Sequence, residues 1–384
     1  MSRPIGRRQV LVQSAAAGAL AAMGLPEWLL PALAQGENDV PFLDIPSSFD
    51  TNPSELTRVL DIRRIDGPLT TRDQFFTLQH YGQPEVDPAT YRLSLTGLVD
   101  RPLSLSLEEL RAVGTTDLVA GFECSGNGPA RVQGLASNGR WTGVPLAALL
   151  SRAGIKPDAE EVVFLGADKG EENVDFRGRT FKVEQQFGRS LLVSNAINAF
   201  VAFALNGEAL TRQQGFPVRL VVPGWYGVAN VKWLSEIHVQ QGRYVGKWQA
   251  RWYRTLRGET IDGEVRWQET EISRLRLKSV IARVTRAGSA HHILGFVLND
   301  GTPLRSVEVK IDDGPWRAAA LDPTNTQYSW KLFSFRWEGA TPGEHTLVSR
   351  VTDRTGRVQP TADELASKLT FLENNAQFPR RVRI

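Results

Sequence analysis

The chain has 384 residues, which exceeds one typical domain and points to two. Lys and Arg number 45 against 42 Asp and Glu, a formal charge of +3, and no dense basic tract is interleaved with aromatics, so composition gives no case for nucleic acid. The one cysteine, Cys124, excludes an intramolecular disulfide, a zinc centre of sister thiols and c-type haem attachment.

Residues 1–34 read as a targeting segment, not as part of the fold. Arg7-Arg8 opens it, an Ala/Gly/Leu-rich stretch follows from Val12 to Leu25, and Ala32-Leu33-Ala34 offers a small-x-small cleavage site. Pro26 and Glu27 interrupt the apolar run short of a bilayer span, which argues against a retained anchor. The arginine pair suggests the twin-arginine route and a periplasmic protein, with no membrane span after processing. Arg3, Arg7 and Arg8 against Glu27 carry +2 of the +3, so the mature chain is near +1. Met1 and Met23 are the only methionines, so the mature chain has no thioether ligand to offer.

Residues 35–70 are irregular and suggest an extended arm. Tyr91 to Val99 alternates like a strand. Ser106-Leu107-Glu108-Glu109-Leu110 looks like a helix start with acids in its first turn. Leu118 to Phe122 is a predicted strand that delivers Cys124 onto a loop. Pro145 to Leu150 reads helical, and Val162 to Leu165 and Val218 to Val222 suit buried strands. Strands and helices mix without a regular βαβ rhythm, so residues 35–275 are expected to form an α+β domain. After about residue 275 short strands and turn signals take over. Asn299-Asp300-Gly301 is a hairpin signal, and Ser306 to Ile311 alternates strictly before the turn Asp312-Asp313-Gly314. Residues 276–384 are therefore expected to form an all-β immunoglobulin-like sandwich without the antibody-type disulfide.

Cys124 is either an inert buried side chain or a single soft ligand or nucleophile. It stands in Gly121-Phe122-Glu123-Cys124-Ser125-Gly126-Asn127-Gly128. Three other segments place polar residues beside glycines and aromatics: Phe75 to His80, Gln214 to Arg219, and Gly227 to Trp233. Together, in this order, the four segments resemble the sulfite oxidase family of molybdenum enzymes. The resemblance covers roughly Phe75 to Tyr253 and continues less specifically through the C-terminal sandwich, which looks like that family's dimerisation domain.

The resemblance implies a molybdenum-molybdopterin cofactor with Cys124 as the protein's metal ligand. One thiolate suffices because the pterin dithiolene brings the other sulfurs, and a soft metal favours sulfur donors. Glycines around Asn127 would let backbone approach the cofactor. By family match, His80, Arg219 and Lys232 supply charge or donors to the pterin phosphate, and Asn230 and Val231 lend loop backbone. Asp168 matches a position that hydrogen-bonds the pterin. Phe76, Thr77, Leu78 and Gln79 line the same groove, and Gln214 stands where relatives carry a histidine. The family's catalytic tyrosine follows a Trp-Gln pair. Trp248-Gln249-Ala250-Arg251-Trp252-Tyr253 reproduces that spacing, making Tyr253 the candidate ahead of Tyr226 and Tyr244.

Two further departures bear on substrate. Relatives that oxidise sulfite place an arginine where this chain has Leu78, and paired basic residues where it has Gly128-Pro129. Leucine cannot imitate a guanidinium that clamps an anion. Arg131 or Arg140, from the stretch after Cys124, could replace the missing cations. The implied activity is oxidation of a small sulfur oxyanion, most simply sulfite to sulfate, by a homodimer. The chain has no haem-attachment motif and no flavin or nicotinamide fingerprint, so electrons would pass to a separate acceptor such as a c-type cytochrome. The alternatives are oxygen-atom transfer on a neutral substrate, as in a sulfoxide reductase, and a non-catalytic exported binding protein.

Overall fold

The computed structural model describes residues 37–366, 368, 370 and 372–384. The proposed targeting segment lies outside the described residues. Among the described residues no helix is long and apolar enough to cross a membrane.

Two five-stranded sheets build the first domain. One runs Glu208–Ala209, Phe200–Leu205, Ala136–Pro145, Thr116–Glu123, with Arg219–Val221 also paired to Phe200–Leu205. The other runs Leu103–Leu105, Leu93–Gly97, Leu234–Gln240, Glu161–Phe176, Arg179–Leu192. Only the pairing of Leu93–Gly97 with Leu234–Gln240 in this second sheet is parallel. A core of Leu, Val and aromatic side chains, among them Leu95, Val144, Leu149, Phe164 and Ile237, fills the domain. The mixed α+β reading of this part holds, with strands far outweighing helices.

Local sequence accounts for the helices that are present. Leu107–Val113 starts at Ser106, whose hydroxyl accepts from the Glu109 amide while the Glu109 carboxylate accepts from the Ser106 amide, a reciprocal cap. Leu146–Ala153 buries Leu146, Leu149, Leu150 and Ala153, one face at helical spacing, and ends at Gly154 with φ +73°.

The second domain is a two-sheet sandwich. Glu37–Asp39, Lys278–Ala287, Ala290–Leu298, Lys331–Trp337 and Ala320–Leu321 form one sheet, and Arg317–Ala318, Leu304–Ile311, Glu344–Asp353 and Arg380–Arg383 the other. Val284, Ile293, Val309, Leu347 and Val351 meet between them. Two details differ from the sequence reading. The arm reaches back into the sandwich: Glu37–Asp39 pairs with Thr285 to Ala287, and Phe42 and Ile45 enter the sandwich core. Asn299-Asp300-Gly301 does not make a hairpin, because the strands on either side of it belong to opposite sheets. The chain there crosses between layers, a task for which the same turn residues serve. Asp312-Asp313-Gly314 does join two paired strands.

Candidate active site

Thr116–Glu123 ends immediately before Cys124, and the chain then turns sharply. The Asn127 amide donates to the Cys124 carbonyl at 2.9 Å, and the Cys124 amide donates to the Leu135 carbonyl at 2.9 Å. The Asn127 side chain holds the turn closed. Its Nδ2 donates to Glu123 Oε1 and the Gln133 carbonyl, and its Oδ1 accepts from the Leu135 amide. Asn127 thus shapes the cysteine loop from behind and does not line the cleft in front of it. A Cβ at Gly128 would meet nothing within 4 Å, whereas one at Gly227 would sit 3.3 Å from the Glu123 carbonyl. A close approach of protein backbone therefore occurs at Gly227, where the 227–230 turn folds onto the cysteine loop.

Cys124 faces a cleft. Phe76, Thr77, Leu78, Gln79, His80, Asp168, Arg219, Asn230, Lys232 and Tyr253 line it with Cys124, so residues from six separate stretches of sequence converge there. Phe75, Phe122, Phe187, Gly227 and Val228 complete the wall. Phe187 carries no motif and was not legible from sequence. Phe75 and Phe122 also pack with Trp141 into an aromatic layer in the apolar cluster that holds Cys124.

Four anticipated residues have other places. Arg131 ends a short helical turn, Pro129–Arg131; Val132 and Gln133 then adopt positive φ, and the arginine is left in solvent. Arg140 adjoins Trp141 on one strand; Trp141 faces the aromatic layer, so Arg140 points to the opposite, exposed face. Neither reaches the cleft, and the idea that they replace the missing cations is corrected on that ground. Gln214 caps the turn at Thr211 and donates to the Arg72 carbonyl, so its amide is consumed by the backbone. Val231 is fully buried, with its carbonyl accepting from the Leu220 amide.

Two cations define one end of the cleft. Arg219, 6% exposed, donates to the Gln214, Leu220 and Asn230 carbonyls and lies 4.9 Å from the Trp141 ring centre. Lys232 Nζ donates to the Leu78 carbonyl at 3.0 Å, Gln79 Oε1 at 2.9 Å and the Gln213 carbonyl at 3.1 Å. Among the described residues neither cation forms a salt bridge to a carboxylate. Burial pulls the Arg219 guanidinium down to about 9, leaving it charged at neutral pH. Burial, reinforced by Arg219, pushes the Lys232 ammonium well below the lysine range, against an opposing pull from Asp168. Enclosed positive charge held only by neutral oxygens is stabilised by an anion.

Burial raises the Asp168 carboxyl to about 6, and its Oδ1 is buried without a hydrogen-bond partner, as is Thr77 Oγ1. The Asn230 side chain spans the 227–230 turn, with Oδ1 accepting from the Val222 amide and Nδ2 donating to the Tyr226 carbonyl. The Tyr253 hydroxyl and His80 Nε2 are 2.8 Å apart. Burial lowers His80 to about 4, helped by Lys232 and Lys247, so the imidazole is neutral at physiological pH. Burial raises the Cys124 thiol to about 11.

These features fit a molybdopterin. The groove offers one sulfur donor, a cationic end suited to a phosphate, and an unpaired carboxylate oxygen suited to a pterin N–H. Among the described residues no group of three or more His, Cys, Asp or Glu could chelate a metal by side chains alone.

The comparisons agree. Residues 80–248 match the oxidoreductase molybdopterin binding domain. The chain is 29% identical to sulfite oxidase of Gallus gallus over 323 residues, covering 76% of this chain and 68% of that protein. It is 28% identical to mitochondrial sulfite oxidase of Homo sapiens, with 76% of this chain and 57% of that one aligned. It therefore spans about two thirds of the avian relative and less of the human one. The crystal structure of the sulfane dehydrogenase SoxCD from Paracoccus pantotrophus superposes with a TM-score of 0.72 at 26% identity, over 90% of both chains. Residues 80–248 thus match an oxidoreductase molybdopterin binding domain, and the chain as a whole is similar to sulfite oxidases in sequence and to the sulfane dehydrogenase SoxCD in structure.

Proposed function

We propose that this protein oxidises a small sulfur species, most simply sulfite to sulfate, in the periplasm, and passes the electrons to a separate acceptor such as a c-type cytochrome. The observation that carries the reading is the convergence of Cys124, Asp168, Arg219, Lys232, His80 and Tyr253 on one cleft. When bound, the cofactor supplies oxygen-atom transfer and a two-electron reservoir.

The protein's own residues bind, orient and exclude water. Cys124 provides the anchoring sulfur, and Asn127 and Glu123 hold its loop in place. Arg219 and Lys232 receive the anionic end of the pterin. Asp168 accepts from a pterin N–H. The aromatic layer of Phe75, Phe122 and Trp141 gives the cysteine an apolar surround. Tyr253 presents a neutral phenol, since burial raises its pKa, and neutral His80 can accept its proton's hydrogen bond. The phenol can thus steady a proton at an oxygen of the reacting centre without ionising. A dimer formed through the sandwich and export through the twin-arginine route complete the proposal. Both rest on the family likeness and on the Arg7-Arg8 segment.

A second reading has one observation in its favour. Leu78 lines the cleft where an anion-binding arginine would stand, and Arg131 and Arg140 do not make good the loss. A sulfur substrate with less charge at its reacting end, such as a sulfane sulfur or a sulfoxide, suits that apolar wall better than sulfite does. A substrate panel with ferricyanide as acceptor tests both, with sulfoxides run in the reducing direction against a reduced dye. Sulfite turnover supports the first reading. Turnover of thiosulfate, persulfides or sulfoxides without sulfite activity supports the second, and no turnover of any of them overturns both.

A further inference from the structure

We propose that the exposed indole of Trp252 is the contact point for the haem protein that takes electrons from this site. It stands at the surface end of a ring stack that begins in the cleft at His80. The inference rests on the reading above that electrons leave to a separate acceptor.

The stack is continuous. His80 lines the cleft and bonds Tyr253. Its ring lies on Trp248 with centroids 4.1 Å apart and planes 14° from parallel. Trp248 is 4% exposed and packs 6.0 Å from Trp252, which is 62% exposed. A half-buried ring, a buried ring and an exposed ring thus connect the site to solvent with no saturated side chain between them.

Lys247 sits among these rings. Its ammonium is 4.2 Å from the Trp248 ring centre and 4.8 Å from that of Trp252, and it is paired with Glu172. A cation over an indole face opposes removal of an electron from it. The rings therefore bridge the transfer and do not store the electron as a radical.

The surface around Trp252 suits a brief encounter. Val245, in the turn leading to this segment, is 75% exposed. Lys247 is balanced by Glu172, Arg254 by Glu269, and Arg243 by Glu161 and Glu271. Arg251, beside Trp252 and exposed, forms no salt bridge among the described residues. Four cations, Lys247, Arg254, Arg243 and Arg251, stand against four carboxylates, Glu172, Glu269, Glu161 and Glu271, and an apolar ring in such a balanced surround fits a partner that presents an apolar haem edge. Small interfaces of this kind are typical of redox partners, and an exposed tryptophan is the residue type that dominates their binding energy. The electron count closes: each substrate oxidised releases two electrons, which pass singly to two ferric haems, each becoming ferrous, and no atom crosses the interface.

The test uses the full chain, cofactor-free and cofactor-loaded, with a soluble mono-haem c-type cytochrome. Surface plasmon resonance reads binding, and substrate-driven reduction of the cytochrome and of ferricyanide reads transfer. Trp252→Leu should weaken the Kd roughly tenfold or more in both forms and cut cytochrome reduction in parallel. Ferricyanide reduction should stay at the native rate, and Trp252→Phe should keep most of the cytochrome rate. Native binding and native cytochrome reduction in Trp252→Leu overturn the docking assignment while the acceptor reading stands. An equal loss with ferricyanide also overturns it, because Trp252 would then act on the chemistry. If the native enzyme turns over but transfers nothing to the cytochrome, the acceptor reading falls and takes this assignment with it.

Discussion

Tyr253 and His80 are 173 positions apart and share one 2.8 Å hydrogen bond at the cleft wall. A net hydrogen bond of this type contributes about 1–1.5 kcal/mol, so Tyr253→Phe should lower kcat about tenfold if the bond matters only in turnover. Steady-state kinetics checks this, and an unchanged kcat removes Tyr253 from the chemistry. His80 makes a second prediction. Its folded pKa, about 4, lies below the unfolded imidazole value, so the folded chain binds fewer protons between the two. Its contribution to stability is present above the unfolded value and is lost as pH falls toward 4. An NMR titration of the cofactor-free chain should place the His80 midpoint near 4, and a midpoint near the free imidazole value contradicts the burial described. The identity of these two residues was legible in short motifs, but their meeting was not. A hydrogen bond across so many residues has no local signal, and the family likeness gave the two residues separate roles. Arg131 and Arg140 failed for a related reason. Proximity to Cys124 in sequence says nothing about which face of a strand a side chain takes.

At the scale of elements, the best-read features were those with local chemistry. The Ser106 and Glu109 cap was visible in four letters, and Ser106→Ala should destabilise the chain by about 1 kcal/mol in a urea melt. The long hairpin of Glu161–Phe176 with Arg179–Leu192 was read only at its first residues. Its outer half, Lys169 to Gln186, is largely polar on both faces, so no apolar alternation announces a strand. The cysteine loop depends on an element from the other domain. Lys278, first residue of a sandwich strand, places Nζ 2.6 Å from Glu123 Oε1 and 3.4 Å from the Asn127 carbonyl, and the pair is almost wholly buried. Burial raises the Glu123 carboxyl, an effect that Lys278 opposes. Lys278→Met therefore strands a buried carboxylate at a cost of about 3–5 kcal/mol, and the double variant with Glu123→Gln should recover part of it. Thermal melts of the two variants decide this, and equal melting temperatures would contradict it.

Across the whole molecule, the sandwich is a structural partner of the active site as well as a second domain. It contributes Lys278 and the Glu373 amide, which donates to the Ser125 carbonyl at 2.7 Å, and the Tyr328 carbonyl accepts from the Gly121 amide. The arm at residues 37–45 crosses back to the sandwich core. Composition marked the change near residue 275 because helical patterns stop there. It could not show that the cysteine loop is clamped between the two halves. The central claim is that this assembled cleft holds molybdenum through the Cys124 sulfur. Molybdenum K-edge absorption on the native protein and on Cys124→Ser tests it most directly. The account predicts one sulfur neighbour fewer at the metal in the variant, with turnover lost. An identical sulfur shell in both proteins would contradict it.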